Sequence, residues 1–254
     1  MEPEERFSSR AEWYAKYRPE YPEAVVDVLE REGGLRPGMM VADVGAGTGL
    51  SSELFLRRGY AVTAVEPNEA MRREATARLG GNPAFWALNG TGERTGLPAG
   101  SVDSVVCAQA FHWLRAEEAG VEWRRILRPG GVAAVLWNRR VKEASSFGVA
   151  LESLLDEFSN EYRTRLRADH DAAIGRFAGV FGAVESRVLP WTEALTWEQL
   201  EGRMMSASYV PLPGDDLHVK FLQGLLGLFG EHQREGRVEL AYETRLYWSC
   251  VRVP

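Results

Sequence analysis

Cysteine is scarce, two in 254 residues, which excludes a small scaffold stapled by disulfides. Cys107 and Cys250 both lie in apolar strand-like runs, where a free thiol is expected to behave as a small hydrophobe. No apolar run reaches the length of a membrane span, and Met1-Glu-Pro-Glu-Glu-Arg6 is acidic where a signal peptide is basic. A cytoplasmic protein with no membrane partner is the expectation. Positive charge is in deficit, with 30 Lys and Arg against 36 Asp and Glu, a formal net charge of −6 and a pI near 5.4. That disfavours a broad basic face for nucleic acid and makes a small molecule the expected partner, the oligomeric state staying open. Histidine and cysteine form no ligand-spaced cluster, so Asp169-His-Asp171 reads as a solvated turn and no metal is expected. There is no internal repeat, low-complexity segment or dividing linker. With 45% hydrophobic residues, the chain suits one α/β domain carrying additions.

What is present centres on Val41-Ala-Asp-Val-Gly-Ala-Gly-Thr-Gly-Leu-Ser51. Val41, Ala42 and Val44 read as a short buried strand. Gly45, Gly47 and Gly49 then fall where the backbone must turn sharply and another molecule can approach it. A helix follows, carrying Leu54, Phe55 and Leu56. Strand, turn and helix set helix-start amides beneath a nucleotide-like ligand. Tyr60-Ala-Val-Thr-Ala-Val-Glu66 reads as a second strand ending in an acid, about 20 residues past the first glycine, where such folds place the carboxylate that accepts two ribose hydroxyls. Two ligands fit this arrangement: a dinucleotide and S-adenosylmethionine. For a dinucleotide the third glycine comes one residue early.

Asp43-Val-Gly-Ala-Gly-Thr-Gly49 resembles motif I of class I S-adenosylmethionine-dependent methyltransferases. The resemblance implies S-adenosylmethionine as cofactor, held at Asp43, Gly45, Ala46, Gly47, Thr48 and Gly49, with Glu66 on the ribose. Beyond Glu66, Pro67-Asn-Glu-Ala-Met71 opens a helix in which Asn68 caps and Met71 either joins the core or lies against the adenine. A third strand is expected at Ala84 to Leu88. Asn89-Gly-Thr-Gly-Glu-Arg-Thr-Gly-Leu-Pro98 can only be a loop. In the resembled family such a loop cups the adenine, which here implies Thr91, Gly92 and Glu93, with glycine at 92 where alanine is usual.

Ser101 to Ala108 reads as the fourth strand and delivers Gln109-Ala-Phe-His-Trp113 to the carboxyl side of the sheet, where ligands gather in open α/β folds. Gln109 and Ala110 join the cofactor residues. His112 is either a structural histidine or the group that binds substrate or removes its proton. Trp113 is either a wall or a cation–π partner for the sulfonium. Val121 to Leu127 reads as a helix stopped by Arg128-Pro-Gly-Gly131 before the buried strand Val132 to Trp137. That Leu-Arg-Pro-Gly-Gly unit also resembles the methyltransferase pattern.

Upstream, Phe7 to Arg31 reads as two helical pieces broken at Arg18-Pro-Glu-Tyr-Pro22. Tyr14-Ala-Lys-Tyr-Arg-Pro-Glu-Tyr-Pro22 resembles the N-terminal segment of the trans-aconitate methyltransferase group, implying a lid to which Tyr14, Tyr17 and Arg18 belong as substrate residues. The competing reading is that the rings merely pack the segment down. Downstream, Val141 to Ala178 is helical in pattern, and Val184 to Trp191 is a sixth strand. Thr196-Trp-Glu-Gln199 matches a capping box, and helices through Met204 and Met205 and from about 217 to 235 form a cap. Leu240 to Val253 alternates as an edge strand. Ser206 and Tyr209 are either pocket lining or packing within the cap.

The expected architecture is a Rossmann-like, seven-stranded, mostly parallel sheet with helices on both faces. It comprises a lid at 1–37, a cofactor core at 38–140, and strands with a cap at about 196–236. The expected activity is methyl transfer to a small molecule, with a carboxylate favoured by the trans-aconitate resemblance. The alternatives are a non-catalytic S-adenosylmethionine-binding protein and a nicotinamide-dependent oxidoreductase, against which the glycine spacing and Leu127-Arg-Pro-Gly-Gly131 speak. An RNA methyltransferase, which needs a basic surface or an Asn/Asp-Pro-Pro-Tyr-like strand for a flipped base, is weaker still, because Gln109-Ala-Phe-His occupies that place.

Overall fold

The computed structural model describes Trp13 and residues 16–158 and 162–251, with side chains 162–171 left aside. In chain order the elements are α1 (Ala24–Arg31), β1 (Met40–Val44), α2 (Leu50–Arg57), β2 (Ala61–Val65), α3 (Glu69–Leu79), β3 (Phe85–Leu88) and β4 (Val102–Ala108). There follow α4 (Ala116–Ile126), β5 (Leu127–Arg140), α5 (Ser146–Phe158), α6 (Tyr162–Phe181), β6 (Glu185–Leu195), α7 (Trp197–Met205), α8 (His218–His232) and β7 (Val238–Cys250). A short 3-10 turn, Phe111–Trp113, follows β4.

The strands form one sheet in the order β3-β2-β1-β4-β5-β7-β6. β2 and β4 flank β1, and the pairs β1–β2, β2–β3, β1–β4 and β4–β5 are parallel. Strand order therefore reverses beside β1, which opens a crevice at the carboxyl ends of β1 and β4. Both faces of these strands are covered, so their residues run almost continuously apolar. Val41, Val62, Val106 and Leu136 join one core with α1, α2 and α3. Val44, Val65, Val105 and Val135 join a second core with Trp123 of α4 and Phe177 of α6. Successive strand residues point to opposite faces, which separates the two cores.

By contacts the chain divides into two compact units. One holds Glu20–Trp137, Asp169–Leu189 and the chain from Thr244, and contains the two cores above. The other holds Asn138–Ala168, Pro190–Glu243 and the described residues before Glu20, around a core of Leu151, Leu200, Met204, Phe221 and Leu225. Its helices α7 and α8 fall between β6 and β7, as the expected cap requires. The capping box forms in full, with the Thr196 side chain accepting from the Gln199 amide and the Gln199 side chain accepting from the Thr196 amide.

Four expectations are corrected. β7 is interior and β6 is the edge, because alternation reports one covered face of a strand and says nothing of its neighbours. Residues 169–171 lie within α6 and form no turn. Cys107 is buried, but Cys250 is exposed at the end of β7, on the opposite face from its buried neighbours Ser249 and Val251. The Leu127-Arg-Pro-Gly-Gly131 unit belongs to β5, bulging between the pairs Val102–Leu127 and Ser104–Val132. Among the described residues no helix is long and apolar enough to cross a membrane, and no group of acids, histidines and cysteines has metal-site geometry.

Candidate functional site

At the end of β1 the chain enters the glycine loop. Gly45, Gly47 and Gly49 have φ of 68°, 57° and 84°, a left-handed sequence that residues bearing a Cβ adopt only at a cost. The Gly45 amide donates to the Val65 carbonyl at 2.8 Å, tying the loop to β2, and a Cβ at Gly45 would lie 2.6 Å from the Ala110 Cβ. The structure thus brings the loops after β1 and β4 into contact. Asp43 is fully buried. Its Oδ2 accepts from the Ser51 and Ser52 hydroxyls at 2.6 and 2.7 Å, which fixes the first turn of α2 against the strand. Burial pushes the Asp43 carboxyl up, and the serine hydroxyls counter the rise. Asp43 Oδ1 and the buried Thr48 Oγ1 have no hydrogen-bond partner, although buried polar atoms are normally satisfied.

Glu66 follows β2 and is 8% exposed. Its Oε2 accepts from the Gly47 amide and its Oε1 from the Asn68 amide, both at 2.9 Å. Burial raises its carboxyl above the ordinary 4.5, against the pull of these two amides. An ionised carboxylate has about four acceptor positions. The amides use two, leaving one on each oxygen. Pro67 is half-buried beside it, Asn68 caps α3 by accepting from the Met71 amide at 3.0 Å, and Met71 is buried.

The loop after β3 runs from 89 to 101 without regular structure. Thr91 closes a small turn with Arg94, the Gly92 carbonyl accepts from Trp123 Nε1 at 3.1 Å, and Glu93 Oε1 accepts from the Arg115 amide at 2.9 Å. An alanine Cβ at 92 would lie 2.5 Å from Leu114 Cδ1, the end of a side chain that would have to shift to admit it. Sequence reasoning missed Glu122, whose carboxylate is held by Arg125 and Thr95 well below the ordinary range, at about 2. The spacing Glu122-x-x-Arg125 was a legible i,i+3 pair; Thr95 was not.

After β4, Gln109 adopts φ 60°, the left-handed region that is rare outside glycine. Ala110 follows, then the 3-10 turn. Phe111 is buried and packs edge-on against Trp123 and Phe177. This anchor sets His112, half-buried, 4.8 Å from the ring of Trp113, itself 38% exposed.

The remaining expected substrate residues belong to the other unit. Tyr14 lies outside the described residues. Tyr17 donates its hydroxyl to Glu198 at 2.7 Å, and its ring covers Gly202 so closely that a Cβ there would collide with it. Its carbonyl accepts from Arg203 Nε. These are the contacts of a ring packing its own segment onto α7. Arg18 is half-buried beside it, Ser206 is buried and donates to the Arg203 carbonyl at 2.7 Å, and the Tyr209 hydroxyl accepts from Arg140 Nη2 at 3.2 Å. Two arginines that sequence reasoning passed over, Arg203 buried and Arg140 half-buried, organise this unit. Arg203 pairs with Glu193 at 2.8 Å and donates to the Tyr242 hydroxyl; Arg140 pairs with Glu152 at 3.0 Å.

Known proteins resemble this chain in sequence and in fold. Residues 42–135 match the family model described as a methyltransferase domain. An uncharacterised methyltransferase of Mycobacterium tuberculosis is 31% identical over 226 residues, covering 89% of this chain and 86% of the relative. An uncharacterised methyltransferase-like protein of Schizosaccharomyces pombe is 26% identical over 93% of this chain and 91% of its own. Among solved structures, a putative type II methyltransferase from Anaeromyxobacter dehalogenans superposes with a TM-score of 0.63 at 22% identity, covering 93% of this chain and 99% of the other.

Proposed function

The chain belongs to the class I S-adenosylmethionine-dependent methyltransferases, and from that premise we propose that it methylates a small-molecule acceptor, a carboxylate first among the candidates. The observation that carries the donor side of this reading is the glycine loop itself. Three alternate glycines in the left-handed region share this loop with two buried polar atoms without partners, Asp43 Oδ1 and Thr48 Oγ1, and the Gly47 amide ties it to a carboxylate at Glu66 with one acceptor position left on each oxygen. This set suits a ligand with a sugar diol and polar groups that approaches the backbone closely. Glu66 would hold the ribose, Thr91, Gly92 and Glu93 the adenine, and the loop from Gly45 to Gly49 the remainder, with Pro67, Met71, Gln109 and Ala110 as walls.

When bound, S-adenosylmethionine supplies a methyl carbon on a positively charged sulfur, open to displacement by an acceptor nucleophile. The protein's part is alignment and exclusion of water, worth up to about 7–11 kcal/mol in favourable intramolecular cases. Gln109, held in a left-handed conformation at a cost of about 1–3 kcal/mol, delivers the turn bearing His112 and Trp113. An ionised carboxylate needs no proton removed; a phenol, amine or carbon acid does, and His112 would take it. Net charge of −6 and the absence of an Asn/Asp-Pro-Pro-Tyr-like segment after β4 support a small acceptor over a nucleic acid.

The test is methyl transfer from radiolabelled donor to panels of small carboxylic acids, phenols and amines. Transfer to RNA with none to any panel would overturn the reading. With an acceptor in hand, His112→Ala is expected to lower kcat by about 10²-fold or more if the imidazole takes a proton, with donor affinity changed far less. Steady-state kinetics beside calorimetric titration read both. Wild-type values for both would return His112 to a structural role.

A further inference from the structure

The loop from Asn89 to Gly100 has no strand or helix of its own, yet a site that recognises a base must hold its donors within about 0.5 Å. Its order comes from α4 and the segment leading into it. Thr95 is fully buried, and both its amide and its hydroxyl donate to Glu122 Oε1, at 2.9 and 2.5 Å. The same hydroxyl accepts from the Leu97 amide at 3.2 Å. Arg125 grips both oxygens of Glu122 at 2.7 and 2.8 Å and reaches the Leu97 carbonyl at 2.7 Å. Four positions before Thr95, Thr91 closes its turn with Arg94, so the ties at Thr95 and Leu97 hold the loop immediately after residues 91–93. The Trp123 indole fixes the Gly92 carbonyl at 3.1 Å. That carbonyl and the Glu93 amide share one rigid peptide plane and point opposite ways, so Trp123 aims the Glu93 N–H away from α4. Among the described residues that amide donates to no protein group.

We propose that Glu122 is a positioning residue for base recognition: by clamping Thr95 it sets, together with Trp123, the aim of the Gly92–Glu93 backbone, and thereby the preference for adenine over other purines. This rests on the reading that residues 91–93 receive the adenine. Glu122 itself is not a ligand contact. It acts through the loop.

The mechanism predicts a base-specific loss. S-adenosylhomocysteine and S-inosylhomocysteine share the sugar and the amino acid and differ only in the purine, so both are titrated calorimetrically into wild-type protein, Glu122→Ala, Glu122→Gln and Thr95→Val. Wild type is expected to prefer the adenosyl compound by tenfold or more. Glu122→Ala should lower adenosyl affinity by about tenfold and inosyl affinity by twofold or less, collapsing the preference. Glu122→Gln, whose amide oxygen still accepts from Thr95, should restore much of it. Thr95→Val removes the hydroxyl tie at nearly constant shape and should fall between, which keeps the test alive if Glu122→Ala fails to fold. Equal losses for both compounds, or a preference untouched in Glu122→Ala and Thr95→Val, would overturn the role of Glu122 while leaving the adenine assignment standing. A wild type that binds both compounds equally would overturn the adenine assignment, and the proposal with it.

Discussion

Glu66→Ala is expected to weaken S-adenosylhomocysteine binding by about a hundredfold or more. A hydrogen bond to a charged group contributes about 1.5–3 kcal/mol, two are available to a ribose diol, and about 1.4 kcal/mol is a factor of ten. Calorimetric titration measures the loss, with thermal unfolding of the ligand-free protein as the check on folding. Unchanged affinity in a folded variant would remove the ribose assignment. The variant also frees the Gly47 and Asn68 amides, so part of its effect comes through a loosened loop. Glu66→Gln separates the parts, since an amide oxygen still accepts from one of those N–H groups while the charge is lost.

The same carboxylate makes affinity depend on pH. Burial raises its folded value above 4.5, and the ionised form is the one that accepts two hydroxyls. Donor affinity should therefore fall as pH drops through that raised value, a bend that Glu66→Ala should lack. Ligand-free stability carries the opposite sign. A carboxyl whose folded pKa is raised contributes stability that is present below its unfolded pKa and lost as pH rises through the folded one. At neutral pH the ligand-free protein bears the cost of a buried charge, and the two amides offset part of it. Titrations and melting curves over the same pH series would show the two trends diverging; parallel trends would contradict this assignment.

Gly45→Ala should be as damaging by a different route. The added Cβ would meet the Ala110 Cβ at 2.6 Å, and neither atom is the end of a flexible side chain, so backbone must move. A left-handed alanine costs about 1–2 kcal/mol and overpacking about 1–3 more. For a chain of this size about 1 kcal/mol shifts Tm by roughly 2–4 °C, so a fall on the order of 5–15 °C is expected, with donor affinity lost as the loops after β1 and β4 separate. Gly96→Ala is the control. It has φ +79° but nothing within 4 Å of its Cβ, so it bears the conformational cost alone. Equal melting temperatures for the two variants would show that contact with Ala110 is unimportant.

Some of the site was legible because its causes are local. The glycine loop, the Asn68 cap and the Thr196 capping box each depend on residues within a few positions of one another, and each formed as read. The buried strands β1 and β4 announced themselves by apolar runs. The tie from Glu122 to Thr95, 27 residues apart, had no such signature. Neither did the pairing of Arg203 with Tyr242, 39 residues apart, nor the commitment of the Tyr17 hydroxyl to Glu198.

By itself the sequence determined the order of strands and helices, the glycine bend and the acid that closes β2, because periodicity, turn chemistry and capping act over distances the chain sets covalently. Only the tertiary structure decided that β7 lies inside the sheet with β6 at its edge, that Cys250 is exposed, and that Asp43 spends one oxygen on two serines and keeps the other unpaired. Those outcomes depend on which surfaces meet after the chain has folded. Burial and pairing between distant residues leave no periodic trace in the sequence that produces them.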